Sequence, residues 1–518
     1  MSTHATKEAM AMTCHSSNVA DFLLEGKEPD RIALHLLNRN YTYAELLTAT
    51  NSIAAYLGKL GCQKGDRVLL VSENSFFWVA AYLGILRAGL VAVPLPNTTP
   101  ADDLKYILEV TAARVALVQG RFATKTRLHL AGTHVLTDGQ IPSLPNAVSQ
   151  MSFGGLHFAE SNRRVCKEVG PRDLAALMFT SGSTGKPRGV MVSHRNIMAN
   201  TESIVQYLGL TEHDRIMTVL PFHYCFGTSL LHTHLRVGGS LVVDSRFMYP
   251  EAILQRMIDT QCTGFAGVPS HFQILLRSSS LPKKHFPDLR YVQQAGGHLA
   301  PSFIRGLQAA LPATQIFVMY GQTEATARLS YLPPEFLDTK LGSIGRGIPG
   351  VTLRVLSESG EEVKLGEVGE IVAEGENVTL GYWQAPQETV HSFRNGKLYT
   401  GDLATVDREG FIYVVDRAKD FVKCGGKRVA CRQIEDQLLE YEELLEVAVV
   451  PVPDDILGEA VRAFVVPRAF NGNGLKENLH EFCKKHMPPQ LIPREILLLQ
   501  ALPKNSAGKV LKQNLRSM

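Results

Sequence analysis

Between residues 179 and 189 runs FTSGSTGKPRG, in which four hydroxyls and three glycines surround one lysine. Glycines let backbone N–H groups approach an anion closely, and nests of such groups bind phosphates. Thr180, Ser181, Ser183 and Thr184 would add hydroxyl donors, Gly182 and Gly185 the close approach, and Lys186 a positive charge. The P-loop motif of NTPases does not fit. It needs four residues between its glycine and its Gly-Lys pair, whereas two separate Gly182 from Gly185, and Pro187 follows the lysine. The competing reading is a flexible surface loop, which the dense alternation of glycine and hydroxyl argues against.

Other segments have chemical content but admit a second reading each. YGQTE at 320–324 follows the apolar run 316–319, and α/β sheets place ligand groups where a strand ends in a polar turn. Taken alone it also suits a helix start capped by Thr323. Asp402 closes YTGD at 399–402; a carboxylate can accept two vicinal hydroxyls, or it can simply sit in a surface turn. AGGH at 295–298 has small residues on which a flat ring could pack, or it is a plain turn. DRAKD at 416–420 reads in isolation as a solvated charged break, and Lys509 as surface charge. GRGIPG at 345–350 fits G-x-G-x-x-G, but Pro349 and a strand-like 351–355 follow where a dinucleotide site needs a helix, so a Rossmann site is rejected.

In this order, and over nearly the whole chain, the motifs resemble the superfamily of acyl-CoA synthetases, adenylation domains and firefly luciferase. The resemblance implies an AMP-forming ligase: ATP activates a carboxylic acid as acyl-AMP, and a thiol then takes the acyl group. It implies that Thr180 to Lys186 hold the outer phosphates. Gly296, Gly297, Tyr320 and Gly321 flank the adenine and the acyl group, with Tyr320 against the base. Thr323 touches the α-phosphate and Glu324 holds Mg²⁺, which needs only a carboxylate plus phosphate oxygens. Asp402 takes the ribose hydroxyls, and Arg417 reaches the ribose or a phosphate. Lys509, in PKNSAGK at 503–509, bridges the substrate carboxylate and the α-phosphate. Lys423 serves the second half-reaction, Gly425 and Gly426 line the pantetheine channel, and the lid swivels at Lys419.

For the acyl group, PFHYCFG at 221–227 resembles the segment where relatives contact substrate. It nominates His223 (also as a gate), Tyr224 and Gly227, joined by Gly321 and by His298, where the family more often has alanine. Ordinary core packing is the alternative for Tyr224, Cys225 and Phe226. Amino-acid-activating relatives carry an aspartate just after this point, but no acid occurs here until Asp244. An α-ammonium would lack its partner, so a fatty, aryl or other non-amino acid is expected. The acceptor is CoA or the phosphopantetheine of a carrier protein, since both present the same arm. A nucleotide-binding regulator without catalysis is the remaining reading, disfavoured by Lys509, Glu324 and Asp402. Nothing points to a luciferase or an amide synthetase, and assembly as a homodimer is left open.

These groups need a scaffold. Helical spacing over 43–60 and 76–86 alternates with short apolar runs at 67–71 and 91–94, and strand-like runs recur at 215–220, 240–243, 263–268 and 315–319. Such alternation predicts an α/β fold: a large N-terminal domain of parallel or mixed sheets sandwiched by helices. After Gly345 the short runs 352–356, 370–374 and 411–415 predict a smaller, more antiparallel β region. Helices at 432–439 and 475–485 with strands at 446–452, 460–466 and 495–499 predict a small mobile α+β lid. The expected domains are 1–417 and 418–518.

The chain's 518 residues are 45% apolar and 20% charged, with a net charge of +3. That excludes an electrostatic case for nucleic acid or an anionic membrane surface. The stretch 76–94 is broken by Arg87 and Gly89 and reads as a buried helix and strand, not a membrane span. Lys7 and Glu8 stand in the first fifteen residues without an apolar core, so no signal peptide is expected. Eight cysteines without a C-x-x-C pair predict reduced thiols in a cytoplasmic protein.

Overall fold

The computed structural model describes residues 17–126, 133–139, 150–152, 168–181, 186–417, 421–424, 427–454, 458–468, 474–505, 508–516 and 518. Two sheets built mainly of parallel strands form the body. In the seven-stranded one, Gln150–Ser152, His134–Thr137, Val115–Val118, Arg67–Val71, Val91–Leu95 and Leu174–Ser181 lie in that order, and Pro187–Ser193 closes the edge antiparallel. In the nine-stranded one, a parallel centre runs Gln315–Tyr320, Tyr291–Gln294, Gly264–Gly267, Arg215–Thr218, Ser240–Val243 and Ile32–His35. Antiparallel strands cap both of its edges.

The central strands are buried on both faces, which is why they read as unbroken apolar runs rather than alternations. Between the sheets lies the largest core cluster, built on the helices Tyr43–Lys59, Phe76–Arg87, His194–Leu208 and Cys225–Val237. Phe76–Arg87 starts at Ser75, whose hydroxyl accepts from Trp78 N, and it is buried from Phe77 onward. The apolar stretch at 76–94 is therefore an interior helix and a central strand. Among the described residues no helix is long and apolar enough to cross a membrane.

A five-stranded antiparallel sheet follows, made of Val351–Leu356, Gly369–Gly375, Phe393–Arg394, Lys397–Val406 and Ile412–Arg417. The strand Val351–Leu356 comes directly after the GRGIPG segment, with no helix between. One expectation is corrected here. Asp416 is not part of a solvated break: it is buried, and with Arg417 it completes the strand Ile412–Arg417, opposite Leu403 and Asp402. The ladder needs backbone partners, and charge on the side chains does not prevent their pairing.

Sheet membership changes between Arg417 and Phe421. The strands Phe421–Cys424, Lys427–Ala430, Leu444–Asp454, Gly458–Pro467 and Glu495–Leu498 form their own sheet. The helices Cys431–Leu439 and Leu475–His486 pack on it around Val422, Ile434, Val449 and Leu479. Lys419 falls among residues 418–420, outside the described residues.

Candidate active site

The glycine-rich loop joins the two antiparallel strands Leu174–Ser181 and Pro187–Ser193, with Thr180 opposite Arg188 and Ser181 opposite Pro187. Gly182, Ser183, Thr184 and Gly185 lie outside the described residues. Lys186 is exposed, its Nζ 5.2 Å from the Tyr106 ring centre. The segment 380–383 runs along the second strand: Leu380 N donates to Met191 O, and Trp383 N to Gly189 O. This brings Tyr382 beside the hairpin, with the Arg188 guanidinium 5.5 Å from its ring centre.

Tyr382 is the bridge to the next motif. Its hydroxyl donates to Glu324 Oε1 at 2.8 Å. Glu324 sits in a single turn, Thr323–Ala325, at the carboxyl end of the strand Gln315–Tyr320. The chain folds back at once, because Leu329 N donates to Tyr320 O. Only glycine fits at 321: a Cβ there would stand 2.0 Å from Ala327 O. The turn also holds Thr326 at φ +67°, a conformation that costs a β-branched residue about 1–3 kcal/mol. Hydrogen bonds fix it: Thr326 Oγ1 donates to Asn377 O, Asn377 Nδ2 to Arg328 O, and Thr379 N and Oγ1 to Glu324 O. Thr323 does not cap a helix. Its hydroxyl points to Cys225 Sγ, 3.5 Å away.

Tyr320 anchors the third group. Its hydroxyl donates to Asp402 Oδ2 at 2.6 Å, and Asp402 N donates to Thr400 Oγ1. Asp402 is buried, and its ladder partner is Arg417. One carboxylate near the turn, Glu324, is thus held by Tyr382, and another, Asp402, by Tyr320. No group of three or more metal-ligating side chains occurs among the described residues. A hard cation at Glu324 would therefore take most of its ligands from phosphate oxygens and water, which is how Mg²⁺ is commonly held.

In the 221–227 segment, adjacent residues divide their roles. Tyr224 precedes the helix Cys225–Val237, and Gly227 is forced, since a Cβ would meet Pro221 O at 2.1 Å. Cys225 faces Thr323. Phe226 is core, with the buried Arg328 guanidinium stacked 3.9 Å from its ring centre. His223 is enclosed, burial lowers its pKa to about 4, and its Nε2 has no hydrogen-bond partner among the described residues. Beside Cys225 a cavity follows one face of the helix, past Thr228, Ser229 and His232, to Tyr82, whose hydroxyl lies 3.0 Å from His232 Nε2.

The smaller C-terminal domain packs against the same edge. Gly296 has φ +86°, and a Cβ on it would meet Val268 Cγ1 at 2.9 Å; a Cβ on Gly508 would meet Val268 Cγ2 at 3.1 Å and Ser270 Oγ at 3.4 Å. The loop carrying Lys509 is thus packed where adjacent parallel strands end, beside Gly296. Two backbone bonds shape that loop, Asn505 N to Lys509 O and Gly508 N to Asn505 O, and Asn505 Oδ1 accepts from Lys509 N. The Lys509 side chain is exposed. Lys423 lies in the hairpin Phe421–Cys424 with Lys427–Ala430, which joins the lid's own sheet through Cys424 and Gly458. Gly425 and Gly426 lie outside the described residues. His298, expected on the acyl side, turns instead to Arg432 and Asp436 of the lid.

The structure thus gathers Thr323, Glu324, Tyr320, Asp402, Gly296, Gly297 and the Lys509 loop at one edge. Sequence reasoning missed Tyr382, Thr379, Arg432 and Asp436. No spacing links Tyr382 to Glu324, 58 positions away, and no motif marks the pair.

Comparison with known proteins agrees in extent. The sequence pattern of the AMP-binding enzymes matches residues 25–383, and that of the AMP-binding enzyme C-terminal domain matches 433–509. A long-chain-fatty-acid–CoA ligase of Escherichia coli O6:H1 is 30% identical, over 92% of this chain and 89% of its own. A 3-[(3aS,4S,7aS)-7a-methyl-1,5-dioxo-octahydro-1H-inden-4-yl]propanoyl:CoA ligase of Rhodococcus jostii is also 30% identical, over 92% and 93%. The crystal structure of ATP-bound MatB from Rhodopseudomonas palustris superposes with a TM-score of 0.85 at 28% identity, covering 97% of this chain and 98% of that one.

Proposed function

The chain belongs to the AMP-binding enzyme family, and from that premise we propose how its residues divide the work of an AMP-forming acid–thiol ligase. The reaction has two halves. The carboxylate of the acid attacks the α-phosphorus of ATP, a P–O bond forms, and pyrophosphate leaves. A thiol, that of CoA, then attacks the acyl carbonyl; the C–S bond forms, AMP leaves, and the thiol proton passes to solvent.

In the first half, charge shifts onto the phosphate oxygens, so catalysis is positioning and electrostatic stabilisation. In our reading Thr323, fixed beside Cys225, contacts the α-phosphate, and Lys509 spans that phosphate and the attacking carboxylate. Thr180 to Lys186 hold the outer phosphates. Asp402 receives the ribose hydroxyls, and Tyr320, anchored by its hydroxyl, presents its ring to the adenine. Glu324, steadied by Tyr382, would hold Mg²⁺, whose charge offsets that of the phosphates. The observation that carries the reading is the seating of the Lys509 loop on Val268 and Ser270, at the strand ends that also bear Gly296 and lie next to Thr323.

For the acid we propose the region beside Cys225, Thr228 and His232, where a narrow void of about 20 Å³ must widen by side-chain movement to admit an acyl group. No carboxylate lines it among the described residues, and Asp244 is already bonded to Arg246 at 2.8 Å. A buried α-ammonium would go unpaired, which supports a non-amino acid. The second half-reaction would bring in Lys423, Gly425 and Gly426 after the lid turns at Lys419, a gating step of a familiar kind. We place the reaction in the cytoplasm, where ATP and CoA are at hand. Pyrophosphate and AMP release should be followed over a panel of fatty, aryl and keto acids, with CoA, with a phosphopantetheinylated carrier protein, and with neither. Pyrophosphate release for one acid class and sustained AMP release only with CoA are expected. A panel that yields no pyrophosphate refutes the reading.

A further inference from the structure

His298 springs from the large domain yet spends both ring nitrogens on the lid. Nε2 lies 2.7 and 2.9 Å from the two carboxylate oxygens of Asp436, and Arg432 Nη2 donates to Nδ1. A guanidinium has no acceptor, so Nδ1 is the bare nitrogen and Nε2 carries the hydrogen given to Asp436. The imidazole is therefore a neutral link between a cation and an anion four residues apart on the helix Cys431–Leu439, where such positions share a face. Burial, reinforced by the Arg432 charge, lowers its pKa and keeps it neutral, against the opposing pull of Asp436 and Glu435. Arg432 is itself held, with Nη1 donating to Val414 O at 2.8 Å and its backbone N to Asp416 Oδ2 at 3.3 Å. The same helix is met by Arg277 Nη2, which donates to Leu439 O at 2.8 Å. A second link nearby, Arg305 to Glu440, is an exposed pair of small worth.

We propose that His298 is a positioning residue for the adenylation step: it clamps the helix Cys431–Leu439 to the large domain and so keeps the Lys509 loop seated on Val268 and Ser270. This rests on the ligase reading above. The clamp touches no reacting atom and acts through Lys509. Turning the lid for the thiol step pulls Arg432 and Asp436 off the ring, so the clamp favours the first half-reaction over the second.

The test separates the two halves in single-turnover experiments on the full chain, with an acid from the panel. Pyrophosphate release without CoA reports adenylation, and AMP release from supplied acyl-AMP and CoA reports thiolation. His298→Ala removes a charge-assisted bond and should slow adenylation by about tenfold or more, while thiolation stays within about twofold or rises. Asp436→Ala should reproduce that pattern, and the double variant should be no slower than the worse single, as expected for partners in one contact. His298→Gln should recover part of the rate, because its amide can accept from Arg432 and donate to Asp436. It also serves if the alanine variant folds poorly. Equal slowing of both halves, additive losses, or Asp436→Ala adenylating at the wild-type rate overturns the clamp. An active wild type with unaltered His298→Ala sinks the clamp alone; a wild type that releases no pyrophosphate sinks the ligase reading and the clamp with it.

Discussion

Replacing Tyr382 with phenylalanine removes one hydroxyl, which meets both Glu324 and Ser392. Tyr382 is 7% exposed and meets Phe393 edge to face at 5.7 Å, contacts that phenylalanine keeps. What disappears is the hydroxyl that donates to Glu324 Oε1 at 2.8 Å. The main chain of Glu324 is pinned by Thr379, but among the described residues its carboxylate has no other protein donor. Hydrogen bonds to charged groups are worth about 1.5–3 kcal/mol, and Glu324 is half-buried, so the lower end applies. That figure corresponds to about a tenfold loss. Losing the donor also frees that carboxylate oxygen for a cation, which by itself would favour binding. The positional loss should win, because a carboxylate free to turn must be ordered each time MgATP binds. Tyr382→Phe should therefore lower kcat/KM for ATP in pyrophosphate release by about tenfold, and the Mg²⁺ concentration for half-maximal rate should rise, with the thermal midpoint unchanged. Wild-type rates within about twofold at every Mg²⁺ concentration would show that the bond does not position Glu324.

Three further outcomes follow from the same geometry. Lys509→Ala should cut pyrophosphate release about a hundredfold or more while sparing thiolation of supplied acyl-AMP; near-normal ATP–pyrophosphate exchange would remove Lys509 from the chemistry. Asp402→Asn should raise KM for ATP about tenfold, and pairing it with Tyr320→Phe should give less than the sum of the single losses, since the two share a 2.6 Å bond; additive losses would break that link. Acid should destabilise the fold. Burial lowers His194, His223 and His234 to about 4, and His232 and His271 to about 3. These groups take up protons in the unfolded chain before the folded one. Their stabilisation is complete above the ordinary histidine value and is lost as pH falls toward 4, by up to about 1.4 kcal/mol per pH unit for each imidazole. Urea midpoints at pH 7.5 and 5 measure it, and His194→Asn, which keeps an acceptor for Val19 N, should flatten the slope; equal midpoints at both pH values would contradict it.

Much of the architecture was legible in the linear chain because its signals are local. Apolar runs bounded by polar turns mark strands buried on both faces, and their alternation with amphipathic helices already implies a layered α/β body. The family was equally legible, since glycine, hydroxyl and lysine at fixed short spacings identify a phosphate cradle before any folding is known. Partnership was not. Tyr382 reaches Glu324 across 58 positions and His298 reaches Asp436 across 138, distances closed by sheet packing and domain contact. Arg417 pairs with Asp402 in a ladder register with a bulge just beside it, so the first two residues of a run of charges that looks solvated became part of a strand of the site. Cys225 and Phe226, neighbours in sequence, separated into a site contact and a core residue because successive helical side chains point in different directions. Local spacing names the groups that chemistry needs. Which of them touch is decided by contacts between distant segments, and no short-range pattern in the chain encodes those.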